Sequence, residues 1–316
     1  MELTFEKVGN QYVAEFEAPS DFNLHIEREE IGILEVHQRG SEEGKYDFAW
    51  GTGVNGRKVV DYDFGALVYP KWIKVVSGSE VVKAFVTCSN GEATQIGGSK
   101  YEFVDLGLPS GTKWATCNVG ATKPEEIGFY FHWGDTQGYK ITLGDVQDET
   151  NGVYSISSME PKMKQFAEDF SDYKFYNTEN GSFTKYNDLD GLTTLELNDD
   201  AANANYSKMR MPTKEECEEL LAETTSTWTD NYNGTNVKGC IFTSKVDETK
   251  SIFIPAAGVV RGGFAGYIGL YGNLWSSSLF NSNVEYVHGL NFDSNNGNVV
   301  EVDRFVGFAV RGVLIN

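Results

Sequence analysis

Cysteine, histidine and proline are scarce in this chain, and no stretch of it is apolar for long. The four cysteines (Cys88, Cys117, Cys217 and Cys240) form no CxxC pair and the four histidines are scattered, so the spacing does not fit a zinc site. The sequence allows one disulfide among Cys117, Cys217 and Cys240, but buried free thiols are favoured. No apolar run reaches the roughly 18 residues that a membrane-spanning helix needs.

Basic residues are also few. The chain has 26 Lys and Arg against 46 Asp and Glu, a formal net charge of −20 at pH 7. This charge repels phosphate backbones and anionic membranes, so we expect no nucleic-acid partner. The N-terminal segment MELTFEKVGNQ has no basic region followed by an apolar one, so it does not predict a signal peptide. We expect a cell-surface or secreted protein if a leader has been removed, and otherwise a phage-particle or cytoplasmic protein.

The first part of the chain is typical of β structure. With 316 residues, two domains are expected. Residues 1–97 predict an immunoglobulin-like β-sandwich, because short strand-like segments follow one another without a helix signal. These segments are LTFEKV, QYVAEFEA, NLHIE, GILEVHQ, YDFAW, KVVDYDF, KWIKVV and VVKAFVTC. Gly9-Asn10 marks a hairpin, and Trp50 and Trp72 are the expected core anchors. The polar segment 89–100 is the predicted linker.

The second domain, residues 98–316, mixes helix and strand signals, which makes the chain α+β. A strand, a turn at 108–111, a second strand and a helical turn begun by Pro124 come first. Residues 136–190 show no period and predict a long, surface-lying insertion. A short helix is expected within 193–206. The clearest helix lies within 210–224, where Thr213 and Glu216 form a capping box. Its narrow apolar face, Leu220 and Leu221, predicts packing on a sheet. The strands KGCIFTSK and SIFIPAAG follow.

Residues 262–313 combine turn-forming residues with large aromatic and aliphatic ones. Alternating pieces at 287–292 and 299–303 predict brief strands, separated by the turn signals Ser282-Asn283 and Asn295-Asn296-Gly297. Tyr together with Ser, Gly and Asn is the mixture found in antibody paratopes. A binding face and ordinary loop packing are the two interpretations, and composition alone leaves both open.

Several segments carry a resemblance to a known family. They are YEFVDLGLPSGTKWATCNVGA, GFYFHWGD, DDAANANYSKMRMPTKEECEELL, IFIPAAG, YGNLWSSS and GFAVRGV. In this order they resemble the Fibrobacter succinogenes major paralogous domain, which is abundant in surface proteins of Bacteroidetes. The resemblance covers residues 101–316. It implies a C-type-lectin-like fold, in the version shared with formylglycine-generating enzymes and with the variable proteins of diversity-generating retroelements. In those variable proteins the C-terminal segment, here about 262–313, is the hypervariable ligand-binding face.

The resemblance also implies a division of residues within this segment. The implied scaffold residues are Trp275, Ser276, Ser277, Asn291, Phe292, Asn298, Arg304, Gly307, Phe308, Val310 and Arg311. The implied ligand-binding residues are Tyr267, Ile268, Leu270, Tyr271, Leu274, Leu279, Phe280, Asn281, Asn283, Glu285, Tyr286, His288, Val300, Val302, Asp303, Phe305 and Val306. We expect the first set to include buried Trp275, Phe292 and Phe308, and the second to face outward, with Tyr271, Phe280, Tyr286 and Phe305 as exposed anchors.

The two arginines of the scaffold set carry separate expectations. Arg311 should bond to backbone or pair with a carboxylate near the chain end. Arg304 is either a scaffold group or a contact at the rim of the binding face, with scaffold favoured.

Catalytic alternatives are weaker. Formylglycine-generating enzymes hold copper with C-terminal cysteines, whereas residues 241–316 contain no cysteine. The serines of 275–278 lack a GxSxG elbow, and His288 is the nearby base. Paired carboxylates for glycoside hydrolysis could come from Asp199 with Asp200, or from Asp293, Glu301 and Asp303. The favoured role of Asp199 and Asp200 is to cap a helix. Asp293, Glu301 and Asp303 are expected to lie on the binding face.

The sequence therefore predicts a non-enzymatic receptor or adhesin-type protein. Its ligand is an unknown protein or glycan, and a protein is favoured because the face is aromatic with few charges. No cofactor is expected, since the sugar-binding tripeptides of C-type lectins are absent; a structural calcium stays open because acidic, Asn-rich loops supply oxygen ligands. The alternative function is a structural cell-surface or fimbrial-type subunit whose C-terminal domain packs on a neighbour.

Overall fold

The computed structural model of the chain describes residues 1–8, 11–18, 22–38, 50–53, 56–64, 71–88, 94–95, 102–163, 165–206 and 208–315. With 48% strand and 9% helix, it is largely a β structure with several sheets. The chain divides into two compact units, Met1–Lys100 and Tyr101–Asn316.

The N-terminal unit consists of antiparallel strands in two sheets. Its strands are β1 (Glu6–Val8), β2 (Gln11–Ala18), β3 (Phe22–Arg28), β4 (Leu34–Gln38), β5 (Gly51–Thr52), β6 (Lys58–Asp63), β7 (Lys71–Ser77), β8 (Val81–Cys88) and β9 (Thr94–Gln95). One sheet has the order β1-β2-β7-β4, with β9 added to β2, and the other has the order β5-β6-β3-β8. Both sheets contribute side chains to one apolar cluster.

Strict alternation explains why β3 lies at the centre of this core. Phe22, Leu24 and Ile26 are buried, while Asn23 between them is exposed. Since successive side chains of a strand point to opposite faces, this pattern places one face of β3 against the other sheet. Arg28 takes the next inward position and is fully buried, and its guanidinium donates to Ser77 Oγ at 2.7 Å.

Some expectations for this unit need correction. Trp50 is half-buried, not a core anchor, and its ring lies 4.4 Å from the Arg28 guanidinium carbon. The side chain of Trp72, most of the predicted strand YDFAW and most of the predicted linker lie outside the described residues. Thr94 and Gln95 of that linker pair with β2.

The C-terminal unit contains many short strands and two α-helices among its described residues. The first strands are β10 (Phe103–Asp105), β11 (Lys113–Asn118), β12 (Tyr130–Phe131), β13 (Lys140–Asp148), β14 (Val153–Glu160), β15 (Tyr176–Asn177), β16 (Ser182–Phe183) and β17 (Met209–Arg210). The later ones are β18 (Thr224–Thr229), β19 (Gly239–Ser244), β20 (Ser251–Pro255), β21 (Val259–Arg261), β22 (Phe264–Gly266), β23 (Gly272–Leu279), β24 (Tyr286–Phe292), β25 (Gly297–Asp303), β26 (Phe308–Ala309) and β27 (Arg311–Leu314). The helices are α1 (Ala201–Asn205) and α2 (Lys214–Glu223), with 3-10 turns at Phe170–Asp172, Leu197–Asp199 and Tyr232–Gly234.

A five-stranded sheet, β12-β26-β23-β24-β25, takes four of its strands, β23 to β26, from residues 262–313. The other sheets are β10-β11-β27-β17, β13-β14-β22-β21, β18-β19-β20 and the pair β15-β16. The last strand, β27, pairs with β11 near the start of the unit. Arg311 reinforces this closure from a fully buried position, donating to the Ala115 and Phe253 carbonyls and to Asn118 Oδ1. The expected backbone bonding of Arg311 is confirmed.

Helix α2 forms as its sequence predicts. Thr213 accepts from the Glu216 backbone N–H and the Glu216 carboxylate accepts from the Thr213 N–H, so the capping box is confirmed. Leu220 is fully buried, and the helix packs on β23, β24 and β25. The four cysteines are free thiols, and Cys88 alone is only half-buried. Within the described ranges, no helix has the length and apolar character needed to cross a membrane.

One expectation for the C-terminal unit needs correction. Residues 136–190 lie on the surface only in part: the hairpin β13–β14 is mostly accessible, whereas Phe166, Tyr173, Phe175 and Tyr186 are buried in the core. Bulges along β13 disturb its alternation, which hides the strand in the sequence. The turn predicted at Pro124 is present: Pro124 and Glu125 lie in a turn that the Glu126 N–H closes by donating to the Lys123 carbonyl at 3.1 Å.

Candidate functional site

A buried aromatic layer supports the segment 262–313 from below. Trp275 on β23 is fully buried, donates to the Phe131 carbonyl at 2.8 Å and stacks on Phe308 with a ring separation of 4.4 Å. Trp133 donates to the Ser276 carbonyl of the same strand at 2.8 Å. Phe292 is 1% exposed. The expected burial of Trp275, Phe292 and Phe308 is confirmed.

Arg304, directly after β25, is a scaffold residue and not a rim contact. Its side chain is fully buried. Its guanidinium donates to the Tyr173 hydroxyl and to the carbonyls of Lys185, Tyr186 and Val284. Every nitrogen of the group therefore has an acceptor, which is what a buried cation requires. These bonds tie the end of β25 to residues 173–186.

The implied scaffold and ligand-binding sets differ in exposure. Nine of the eleven implied scaffold residues are buried, Asn291 and Asn298 being the two that are not. Twelve of the seventeen implied ligand-binding residues are accessible at least in part. The exposed ones are Tyr267, Asn281, Asn283 and Glu285, and the half-buried ones are Ile268, Leu270, Tyr271, Phe280, Tyr286, Val300, Val302 and Asp303.

The structure corrects the outward orientation of five residues. Leu274, Leu279, His288, Phe305 and Val306 are buried. Phe305 in particular is not an exposed anchor: it is 3% exposed, packs edge-on against Phe170 at 4.9 Å and lies under the Arg261 guanidinium. The partners of Phe305 come from distant segments, so its sequence neighbours could not reveal its burial.

An open cleft of about 490 Å³ brings part of the implied set together. It lies where the end of β23 and the loop after it meet the start of α2 and the paired strands β24 and β25. Its lining residues are Thr193, Thr194, Lys214, Glu215, Ser278, Leu279, Phe280, Asn281, Ser282, His288 and Glu301. Four of them, Leu279, Phe280, Asn281 and His288, belong to the implied ligand-binding set.

His288 is the most unusual group in the cleft. It is 8% exposed, its ring meets that of Phe280 at 5.5 Å and 83°, and its Nδ1 has no hydrogen-bond partner. Burial lowers the pKa of His288 below its usual value of 6.5, and the charge of Lys214 lowers this pKa further. The imidazole is therefore neutral at pH 7.

The serines beside His288 are used structurally. Ser276 Oγ donates to the backbone carbonyl of His288 at 2.7 Å, and Ser277 Oγ donates to the Pro212 carbonyl. Ser278 Oγ accepts from the backbone N–H of Lys214 at 3.0 Å, which fastens α2 to β23. None of these bonds joins the hydroxyl of Ser276, Ser277 or Ser278 to the imidazole.

Charges enter the cleft from two elements. Glu215 comes from the first turn of α2, and Glu301 lies opposite His288 in the register of β24 with β25. The ammonium of Lys214 forms an ion pair with Glu218 at 3.0 Å, one turn along the helix. Beside the cleft, burial raises the pKa of Asp303, which lies opposite Tyr286 in the same register.

A second group of implied residues lies apart from this cleft. Tyr267 and Tyr271 pack edge-on at 5.4 Å, and the backbone N–H groups of Tyr267 and Ile268 donate to the carbonyls of Asn151 and Gly152 in the β13–β14 turn. None of residues 267–271 lines the cleft. The structure thus distributes the implied ligand-binding residues over at least two surface regions.

The sequence alone did not identify Thr193, Thr194, Lys214, Glu215 and Ser282 as neighbours of this site. A signal existed for Lys214 and Glu215, because the capping box at Thr213 fixes where α2 begins and hence which side chains its first turn presents. No comparable signal exists for Thr193 and Thr194, which reach the cleft through the isolated bridge between Thr194 and Ser278.

The acidic pair Asp199 and Asp200 has structural roles. Asp200 caps α1 by accepting from the N–H groups of Ala202 and Asn203, and it also accepts from Met211 N–H at 2.7 Å. Asp199 forms ion pairs with Lys174 and Lys185. Among the residues that the structure describes, no group of three or more His, Cys, Asp or Glu could hold a metal ion.

Comparisons of the chain with protein-family profiles, with curated proteins and with solved structures found no match. The C-type-lectin-like fold, the variable-protein family and the immunoglobulin-like sandwich therefore stay predictions.

Proposed function

We propose that the chain is a non-enzymatic ligand-binding protein of the receptor or adhesin type. In this proposal the C-terminal unit has a C-type-lectin-like scaffold and presents a diversified face formed by residues 262–313. The N-terminal unit serves as an immunoglobulin-like spacer or attachment module, and the protein acts at a cell surface or on a phage particle.

One observation carries the proposal. Within 262–313, the residues implied to be constant are mostly buried and hydrogen-bonded, as Trp275, Arg304 and Arg311 are, whereas most residues implied to vary are accessible. Accessible positions away from caps and buried networks tolerate substitution at a cost usually within about 0.5 kcal/mol, whereas core positions do not. This separation suits a surface that changes its chemistry while its fold stays constant.

The serine bonds support a binding role over a hydrolytic one. A serine hydrolase requires a base within hydrogen-bond reach of the nucleophile, and Ser276, Ser277 and Ser278 have other partners. The cleft also combines an aromatic ring, Phe280, with small polar side chains, a mixture suited to specific recognition.

A substitution experiment on the full chain tests the proposal. The triple variant Phe280→Ala, Asn281→Ala, Tyr286→Ala alters the accessible face, and Trp275→Ala alters the scaffold. We expect the triple variant to lose at most about 1.5 kcal/mol of unfolding free energy and Trp275→Ala about 3–5 kcal/mol.

Binding is then measured by probing a random peptide display library and a glycan array with both folded proteins, the wild type and the triple variant. Ligands bound by the wild type should be lost by the triple variant. A triple variant that retained every wild-type ligand, or one that had lost its cooperative unfolding transition, would contradict the proposed face.

A further inference from the structure

The cleft beside α2 contains two carboxylates, Glu215 and Glu301, against one cation, Lys214, whose charge interacts with both of them. Glu215 and Glu301 line it from two different elements, and neither forms an ion pair within the part of the chain that the structure describes. Lys214 also lines the cleft, but its ammonium is paired with Glu218. His288 is neutral at pH 7 because burial and Lys214 lower its pKa. The cleft therefore has a negative charge in a protein that is already strongly acidic.

The remaining lining groups suit a ligand that donates several hydrogen bonds. Oxygen acceptors come from Thr194, Ser278 and Asn281, and Phe280 contributes an aromatic ring. Guanidinium and ammonium groups are donors without acceptors, and both are attracted to carboxylates and to aromatic faces.

The floor of the cleft gives an independent indication of an occupant. His288 is more than nine-tenths buried and lines the cleft, yet its ring makes no hydrogen bond among the described residues, and Nδ1 is enclosed without a partner. Buried polar groups are nearly always hydrogen-bonded, so an unpartnered imidazole beside an open cleft indicates a site completed by a bound group.

We propose that this cleft receives a cationic side chain, arginine or lysine, of a protein partner. The inference rests on the proposed binding function and names the chemistry of the ligand at one part of the face. The cation would lie between Glu215 and Glu301, against the ring of Phe280. A carboxylate-bearing group is disfavoured because it would meet two carboxylates and a single cation, Lys214, which Glu218 already pairs.

The test uses the isotope-labelled full chain and three small probes. Nα-acetyl-arginine amide and Nα-acetyl-lysine amide carry the cation, and Nα-acetyl-citrulline amide has nearly the shape of the arginine probe without its charge. Binding is followed by NMR through the ring resonances of His288 and Phe280. The double variant Glu215→Gln, Glu301→Gln removes the carboxylates, and Glu149→Gln, Glu248→Gln removes the same charge from exposed residues outside the cleft.

We expect saturable shifts with at least one cationic probe and none with citrulline. The cleft double variant should bind that cation about fivefold more weakly, as the loss of two exposed ion pairs implies, and the control pair should stay within about twofold. The inference is overturned if citrulline binds as well as arginine, if both double variants weaken binding equally, or if no probe shifts the two rings. Such a result would not overturn the proposed binding function. A ligand of different chemistry could still bind the wild type and be lost in the triple variant.

Discussion

The hydroxyl of Tyr173 accepts a hydrogen bond of 3.1 Å from Nε of Arg304, although the two residues are 131 positions apart in the chain. The Arg304 guanidinium also lies over the rings of Tyr173 and Phe183, at 5.3 and 4.3 Å from their centres. Through this contact the aromatic segment 166–186 holds the end of β25. The outer surface of residues 262–313 therefore depends on residues 166–186, whose sequence shows no helical or alternating period.

Replacing Arg304 with lysine should destabilise the C-terminal unit strongly. A lysine ammonium cannot reproduce the fork that serves three carbonyls and a hydroxyl, so Arg304→Lys leaves buried acceptors without donors. We expect a loss of about 3 kcal/mol of unfolding free energy, measured by denaturant titration.

The control for this variant is Arg261→Lys. Arg261 is exposed and donates to the Glu168 carbonyl, so its replacement should cost less than about 1 kcal/mol. Equal losses in the two variants would contradict the scaffold role of Arg304.

Local signals account for what the sequence predicted correctly. The capping box of α2 needs only residues 213–216, and the turn at 108–111 and the strands β19, β20, β24 and β25 follow from alternation and turn residues within a few positions. The aromatic segment 166–186 could not be predicted in this way. Its residues are held by side chains far away in the chain, such as Arg304, and those contacts override local composition.

The candidate site was predictable to a similar extent. Alternation in β24 and β25 places Tyr286 and His288 on one face with Asp303 and Glu301 opposite them, which the sequence pattern can give. The burial of Phe305 and the neighbourhood of Thr193 and Thr194 could not be deduced, because each depends on contacts between distant segments.

Protonation of His288 should destabilise the folded protein. The pKa of His288 is lowered in the fold, so between that pKa and 6.5 the unfolded chain binds more protons than the folded one. The contribution of His288 to stability is therefore fully present above pH 6.5 and is lost as the pH falls through the folded pKa. Glu215, Glu218 and Glu301 act in the opposite direction and raise the pKa of His288. These glutamates are present in both the wild type and His288→Gln, so their own titration cancels when the two proteins are compared.

We expect the wild type to lose unfolding free energy relative to His288→Gln between about pH 7 and pH 5, measured by denaturant titration at each pH. An NMR titration of the His288 ring should give a midpoint below 6.5. A midpoint at or above that value would show that the ring is not desolvated as described.

The diversified face is the central claim, and sequencing the 3′ end of this gene with its flanking DNA in many isolates tests it most directly. We predict that differences concentrate at accessible codons such as those for Phe280, Asn281, Asn283, Glu285 and Tyr286, that the codons for the buried residues Trp275, Arg304 and Arg311 stay constant, and that a nearby near-copy of the segment differs mainly at adenines. An invariant segment with no such copy nearby would contradict the claim and would favour a structural subunit with a fixed partner.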